Sequence, residues 1–323
     1  MCILIIGSIK DHQVKSVFDR LNNFGVKVVI FDRYDRAHSI TWISDHKKIK
    51  GLINGYPGIE VPFDCVNIVW WRFKSFHLSE TLSSQKLLYS VFTNKEWREV
   101  FNSLPFYLKK AVWINDFWAE TKINPKIIQL QIAQEIGFKI PYTVLGNNNQ
   151  KILSIFEEEY EVIYKTLFSP RVSQEEVILT TKVTREQVIA KKEKIKECPK
   201  IFQNFIEKEF ELRITIIGDK LFPVKINVDT NSTAYTDWRN AKMQDIYSIT
   251  VLDNKLELLI RSFHNKVNLI TATYDIIRGK DGEYYFLECN PSGQWLWIEK
   301  KLGLPITKEL VLLLYRQYKN KIE

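Results

Sequence analysis

The chain has 323 residues, 45% hydrophobic and 26% charged, with 46 basic against 38 acidic side chains and a net charge of +8. That length is too great for one small core and suits two or three compact units, and no apolar run approaches the roughly 20 residues that span a bilayer, so no membrane partner is expected. The basic excess calls for an anionic partner, yet no helix-turn-helix, zinc-finger or RNP pattern accompanies it, so nucleic acid is not expected.

The start, MCILIIGSIKD, has no basic leader or small-residue cleavage site and reads as a first buried strand over residues 2–6. A helix over 11–24, ended by Gly25, and a second buried strand over 26–31 open an α/β unit with a parallel sheet. Gly7 is followed by Ser8-Ile9-Lys10, so no dinucleotide fingerprint is present. A third strand over 66–71 ends in Trp70-Trp71-Arg72, an aromatic packing pair with Arg72 beside a cleft. From Asn124 a helix with Pro125 at its first position runs to Glu135 and closes at Gly137. A short strand over 140–144, a helix over 152–160 and a strand over 161–165 ending in a lysine follow, and 168–181 reads as a mobile loop. The stretch TREQVIAKKEKIKECPK reads as one charged helix with a capping box at Thr184 and Gln187, ended by Pro199, and is a solvated face before it is a binding site. Four scattered cysteines, Cys2, Cys65, Cys198 and Cys289, lack metal-type spacing and point to reduced thiols in the cytoplasm.

The last third is rich in strands. Residues 201–206, 210–217 and 221–228 alternate, and Leu212, Ile214 and Ile216 give a core face opposite Glu211, Arg213 and Thr215. At the Gly218-Asp219 turn a two-residue loop puts Val224 and Ile226 on the polar face, whereas a three-residue loop puts Lys225 and Asn227 there. The second keeps the faces consistent and is the expectation.

The most informative stretch is ATYDIIRGKDGEYYFLECNPSGQWLW, residues 272–297. Asp281-Gly282 is the signal of a two-residue type I′ turn, so Lys280 faces Glu283, and counting outward sets Asp275 opposite Glu288, with Cβ atoms roughly 5 Å apart. Asn290 follows Glu288 by two and shares its face. Two carboxylates and an amide are hard oxygen ligands of the kind Mg²⁺ takes when nucleotide phosphates complete its shell. The competing readings are a solvated sheet face or a retaining-glycosidase pair, the latter disfavoured by Asn290 and by the lack of a second carboxyl cluster. Lys126 and Lys165 can reach phosphates, Arg213 and Arg239 offer planar forks for a transferring phosphoryl group and the carboxylate that receives it, and Gln203-Asn204-Phe205-Ile206 can present backbone donors and acceptors to an adenine. A lone Lys or Arg is usually surface, so the strength of this set lies in its order along the chain.

That order, Lys126, Lys165, IFQNFIEKEFELRITIIG, Asp237-Trp238-Arg239, Asp275 and then FLECNPSGQW, resembles an ATP-grasp ligase. More narrowly it resembles the macrocyclases of graspetides, the microviridin-type omega-ester-containing peptides. The resemblance covers nearly the whole chain and is most specific at Trp71-Arg72, at 124–143, at Glu211-Leu212-Arg213 and at ECNPSGQW. It implies an α/β fold with α+β elements, three domains and ATP held between two antiparallel β-sheets. The expected domains are 1–118, an N-terminal α/β unit; 119–200, a central lid where the leader of the precursor docks; and 201–323, the C-terminal unit with the metal hairpin.

On the same resemblance Lys126 and Lys165 bind phosphates, the backbone of Gln203, Asn204, Phe205 and Ile206 meets adenine, and Glu207 or Lys208 lies near the ribose. Asp275, Glu288 and Asn290 hold Mg²⁺, while Arg213 and Arg239 steady phosphoryl transfer. The implied partner is an acidic ribosomal precursor peptide, leader plus core, whose Asp or Glu side chains are phosphorylated and joined to Thr, Ser or Lys. A homodimer is also implied. The rival readings are a free-standing ligase of the glutathione-synthetase type and a basic binding module without turnover.

Overall fold

The computed structural model describes residues 1–73, 84–158, 161–167, 178–227, 229, 235–240 and 246–321. In the N-terminal unit β1 (Cys2–Ile6), α1 (His12–Asn23) and β2 (Val28–Phe31) are followed by a three-stranded antiparallel sheet of β3 (Ser39–Ser44), β4 (Ile49–Gly55) and β5 (Ile59–Pro62), then β6 (Val66–Trp71), α2 (Ser84–Tyr107) and β7 (Val112–Ile114). A parallel sheet of order β2-β1-β6-β7 forms its centre, and every residue of β1 is buried, as expected of a strand covered on both faces. Asp11 caps α1 by accepting from the Gln13 N–H, and Gly25 ends it with φ of 70°.

The chain continues through α3 (Phe117–Ile123), α4 (Lys126–Ile136), β8 (Thr143–Gly146), α5 (Asn149–Leu153), β9 (Val162–Lys165), β10 (Thr181–Val183), α6 (Arg185–Ala190), α7 (Lys192–Glu197) and β11 (Lys200–Asn204). The antiparallel order β10-β9-β11-β8 makes a small sheet with its own core of Ile152, Ile155, Val162, Val188, Ile195 and Phe202. The basic stretch after Thr184 forms two short helices rather than one, broken at Lys191, though the Thr184–Gln187 capping box is present. The predicted helix over 152–160 starts earlier and ends in a single 3-10 turn, Ser154–Phe156. Most of the predicted loop over 168–181 lies outside the described residues, and Thr181 already belongs to β10. Helix α4 packs on the C-terminal sheet through Leu130 and Ala133, and β11 runs past residue 200, so the small sheet spans 143–204.

The C-terminal unit comprises β12 (Lys208–Ile217), β13 (Lys220–Ile226), β14 (Tyr247–Ile249), α8 (Asn254–Lys266), β15 (Thr271–Gly279), β16 (Tyr284–Asn290), α9 (Leu296–Leu302) and α10 (Ile306–Lys319), its strands ordered β14-β13-β12-β15-β16. Ile217 pairs with Lys220, so the connection at Gly218-Asp219 has two residues, and Val224 and Ile226 stand opposite Arg213 and Glu211. The expected three-residue loop is therefore wrong. Its premise was that the face bearing Arg213 is wet, but the N-terminal unit and α10 cover that face from Ile217, Phe222 and Val224 onward, so apolar neighbours are stable there.

The β15–β16 hairpin reaches its predicted register by another route. Gly279 pairs with Glu283 across a three-residue loop in which Gly282 takes φ of 81°, and Arg278 opposes Tyr284. A register shift then falls between Asp275 and Ile276, where Phe286 and Glu288 oppose consecutive residues and leave Leu287 as the extra one, and it restores Asp275 opposite Glu288.

Candidate active site

Three strands bring the chemistry together in two cross-strand rows. Arg213, Asp275 and Glu288 are successive partners across β12, β15 and β16, and Thr215, Thr273 and Asn290 form the adjacent row. Arg213 Nη1 donates to both oxygens of Asp275 at 2.8 and 3.1 Å, and Nη2 donates to the Gln294 carbonyl at 3.2 Å. Lys126, in the first turn of α4, donates to Glu288 Oε2 at 2.8 Å, and Asn290 Nδ2 donates to Glu288 Oε1 at 2.9 Å. Asn290 thus spends its amide nitrogen on the neighbouring carboxylate, and its carbonyl oxygen remains the atom with ligand character.

Two carboxylates this close cannot share one environment. Burial in the cleft floor pushes the Asp275 carboxyl up to about 7; Arg213 opposes the rise and Glu288 adds to it. Burial acts on Glu288 in the same sense but is outweighed by Lys126, with the Asn290 N–H assisting, which together hold it well below the usual carboxylate range. Lys165 ends β9 on the opposite sheet, and partial burial, with Lys126 nearby, pushes its ammonium down to about 8. It has no ion-pair partner among the described residues, although Glu288, Glu211 and Asp237 all act on it.

Arg239 is fixed by its neighbour in Asp237-Trp238-Arg239. Its Nε and Nη2 donate to the two oxygens of the buried Asp237 at 2.7 and 2.6 Å, while the Thr180 N–H donates to Asp237 Oδ2 at 3.1 Å. Burial opposes ionisation of Asp237, but this fork keeps its carboxyl below the ordinary value. Arg239 keeps two-fifths of its side chain exposed. The four cations, Lys126, Lys165, Arg213 and Arg239, therefore converge on Asp275, Glu288 and Asn290 from different elements.

Between β11 and β12, the Asn204 and Phe205 N–H groups donate to the Tyr142 and Glu161 carbonyls, whereas the Ile206 N–H has no backbone partner among the described residues. Gln203 lies within the ladders of β11. Lys208 is turned inward, 4% exposed, with Nζ 2.5 Å from Glu211, and Glu207 is turned outward onto Lys280 at 2.9 Å.

Sequence reasoning missed the polar side chains beneath the metal loop. Gln129 on α4 behaves like a strand neighbour, donating to the Cys289 carbonyl at 2.9 Å and accepting from its N–H at 2.8 Å. Asn115 accepts from the Ile270 and Thr271 N–H groups and donates to the Thr271 carbonyl. Gln13, Arg72 and Glu120 reach the Pro291-Ser292-Gly293-Gln294 loop. Apart from Arg72, whose place at the end of a predicted strand beside a cleft hinted at a role, these are lone polar residues in helices or loops that no spacing singles out.

The donor set fits a divalent cation: two carboxylates of unequal acidity and an oriented amide oxygen, with cations placed for phosphates. Residues 123–314 match the family described as RimK-like ATP-grasp domain. Among solved structures, the chain is similar to the macrocyclase MdnC bound with precursor peptide MdnA from Microcystis aeruginosa MRC, at 26% identity over 98% of this chain and 100% of that one, with a TM-score of 0.82. It is also similar in fold to a Chryseobacterium gregarium RiPP-associated ATP-grasp ligase in complex with ADP and a leader and core peptide, at 24% identity, 98% and 97% coverage and a TM-score of 0.81. A third likeness in fold is to the ATP-grasp ligase PsnB complexed with a phosphomimetic variant of its minimal precursor, Mg and ADP, at 20% identity, 98% coverage of each chain and a TM-score of 0.75. A search of curated protein sequences gives no match.

Proposed function

This chain belongs to the RimK-like ATP-grasp family, and from that premise we propose that it is an ATP-dependent peptide macrocyclase. It activates Asp or Glu side chains of a ribosomally made precursor and joins them to Thr or Ser as esters, or to Lys as amides. The likeness to MdnC, which extends over both chains at 26% identity, supports this substrate class over free amino acids. The observation that carries the reading is the Asp275, Glu288 and Asn290 cluster ringed by Lys126, Lys165, Arg213 and Arg239.

A carboxylate resists attack because it is anionic and has no good leaving group. Transfer of the γ-phosphoryl group of ATP to the acceptor oxygen gives an acyl phosphate and ADP; attack by the hydroxyl or amine then expels phosphate. Asp275, Glu288 and Asn290 would hold Mg²⁺, which supplies charge neutralisation on the transferring group when bound. Lys126 and Lys165 bind the phosphates. Arg213 is held rigid by Asp275 and the Gln294 carbonyl, Arg239 by Asp237, and each presents planar donors to the acceptor and the moving phosphoryl group. The segment Gln203, Asn204, Phe205 and Ile206 edges the adenine. Of the two ribose candidates, Glu207 is accessible while Lys208 is spent on Glu211.

The central lid, 119–200, carries the leader, beside the N-terminal α/β unit, 1–118, and the C-terminal unit, 201–323, which carries the metal hairpin. An acidic precursor suits the +8 charge of the chain. Among the described residues no helix is long and apolar enough to cross a membrane, and with all four cysteines free the cytoplasm is the fitting site of action.

The test is an intact-mass assay of the enzyme with ATP, Mg²⁺ and the acidic peptide encoded beside its gene. Loss of one water per cross-link, dependent on ATP and on the leader, is expected, and hydroxide treatment separates ester from amide. An unchanged mass together with ADP release on free amino acids identifies a small-molecule ligase instead.

A further inference from the structure

The loop that follows Asn290 is held by several buried polar groups. The Asn290 carbonyl accepts from the Gly293 N–H at 3.1 Å, closing a turn directly on the metal-ligand candidate. Ser292 Oγ donates to Glu120 Oε1 at 3.0 Å. Arg72 Nη1 donates to the Ser292 carbonyl and, at 3.0 Å, to the Gly293 carbonyl. Neither charged group is placed there to meet solvent: Glu120 is 6% exposed and Arg72 is 3% exposed.

Among the described residues the Arg72 side chain makes all its hydrogen bonds to this loop, while its backbone N–H donates to the Ile6 carbonyl at 2.8 Å. Its Nε lies 3.8 Å from Asp11 Oδ2, and neither Nε nor Nη2 has a hydrogen-bond partner among the described residues. Glu120 comes from α3, Arg72 from the end of β6, and the Asn115 Nδ2 that steadies Glu120 at 3.4 Å follows β7. Burying ionisable groups on these elements costs desolvation that a hydrophobic filling would avoid. The charges are kept where they meet the backbone of the metal loop.

We propose that Glu120 and Arg72 are positioning residues: through Ser292 and the loop carbonyls they fix the turn that presents the Asn290 oxygen, and thereby set the affinity of the site for a divalent cation. The inference rests on the assignment of Asp275, Glu288 and Asn290 as metal ligands. A neutral amide is a weak ligand and contributes only when its orientation is imposed beforehand. The Asn290 side chain is set by Glu288 on one side, and its backbone by the clamped turn on the other.

The test uses the full chain with Glu120→Ala, Glu120→Gln and Ser292→Ala. Calorimetry of ADP binding, without peptide, is run across a Mg²⁺ series and in chelator. Glu120→Ala is expected to raise the half-saturating Mg²⁺ concentration roughly 10- to 100-fold, the usual effect of losing a group that orients a ligand, with ADP affinity in chelator unchanged. Ser292→Ala shifts it in the same direction, the double variant goes no further, and Glu120→Gln recovers most of the loss because its amide oxygen still accepts from Ser292. Unshifted Mg²⁺ half-saturation in both alanine variants overturns the proposal, as does an equal loss of ADP affinity in chelator, which marks a general loosening. If Glu120→Ala does not fold, Ser292→Ala decides alone. A wild-type chain whose ADP binding ignores Mg²⁺ removes the metal assignment itself, a failure distinct from unshifted variants on a metal-dependent background.

Discussion

Lys126 Nζ lies 2.8 Å from Glu288 Oε2, so the ammonium in the first turn of α4 neutralises one of the two carboxylates on the hairpin. A cation entering without nucleotide has to displace this internal one, whereas nucleotide phosphates relieve the competition by drawing the ammonium to themselves. Lys126→Met is therefore expected to strengthen binding of Mg²⁺ alone and to weaken binding of Mg²⁺-free ADP, each by about tenfold or on the order of 1.4 kcal/mol. Titration calorimetry with the metal alone and with ADP in chelator reads both arms; loss of both affinities would sink the competition.

Asp275 contributes to the pH dependence, as does Glu120, whose carboxyl burial also pushes up to about 7. The folded Asp275 value of about 7 exceeds the ordinary carboxyl value near 4, so the metal-free fold binds this proton more tightly than the unfolded chain does. Its contribution to stability is thus complete below about pH 4 and is lost as the pH climbs through 7. Asp275→Asn, which keeps a neutral side chain at every pH, should not lose that increment. Urea melts of both proteins from pH 4 to 8, without metal, should show wild type losing ground to the variant as pH rises. Metal needs the deprotonated acid, so Mg²⁺-dependent ADP binding should tighten over the same interval.

Arg239 owes its aim to Asp237. Arg239→Lys keeps the charge and loses the two-point fork, and kcat for peptide-dependent ADP release should fall on the order of 100-fold while the KM for ATP changes little. Asp237→Asn should lower kcat in the same direction by a smaller factor. A KM effect alone would assign Arg239 to nucleotide binding instead.

Gly293 has no room for a side chain. A Cβ there would stand 2.3 Å from Thr273 Oγ1 and 3.2 Å from the Asn290 carbonyl oxygen. Thr273 is fully buried and cannot yield, so the turn must move. Gly293→Ala should destabilise the fold by about 1–3 kcal/mol, the cost of overpacking, and should raise the Mg²⁺ requirement of turnover. Thermal unfolding and a Mg²⁺ titration of activity check the two effects separately.

Much of the scaffold was legible because its signals are local. The strand Val66–Trp71 and the glycine stops at Gly25 and Gly137 follow from burial runs and end chemistry. Asp275 does face Glu288, but the counting behind that expectation compensated one error with another: a loop one residue longer than read, and an extra residue at Leu287 that restores the phase. The Gly218-Asp219 loop was misjudged since alternation cannot tell a wet polar row from one roofed by another unit. Helix α2 and the sheet of β3, β4 and β5 were not anticipated at all. Glu120, Asn115, Gln129 and Gln13 stayed hidden for a different reason: each meets the loop or, for Gln129, Cys289 just before it across a large sequence separation, and one polar residue on a helix or in a connection reads as surface.

The buried carbonyls of Pro291, Ser292 and Gly293 also bear on how far the ligase half can be separated from what precedes it. Residues 123–314 contain every ligand candidate and both phosphate lysines, yet the side chains that meet those carbonyls, from Gln13, Arg72 and Asn115, all come from outside that stretch. A fragment cut at residue 123 would keep its reactive groups and strand the backbone that carries them. In this chain catalytic autonomy and the family boundary do not coincide, and a swap of the first hundred residues between related enzymes would transplant part of what holds the loop after Asn290 along with them.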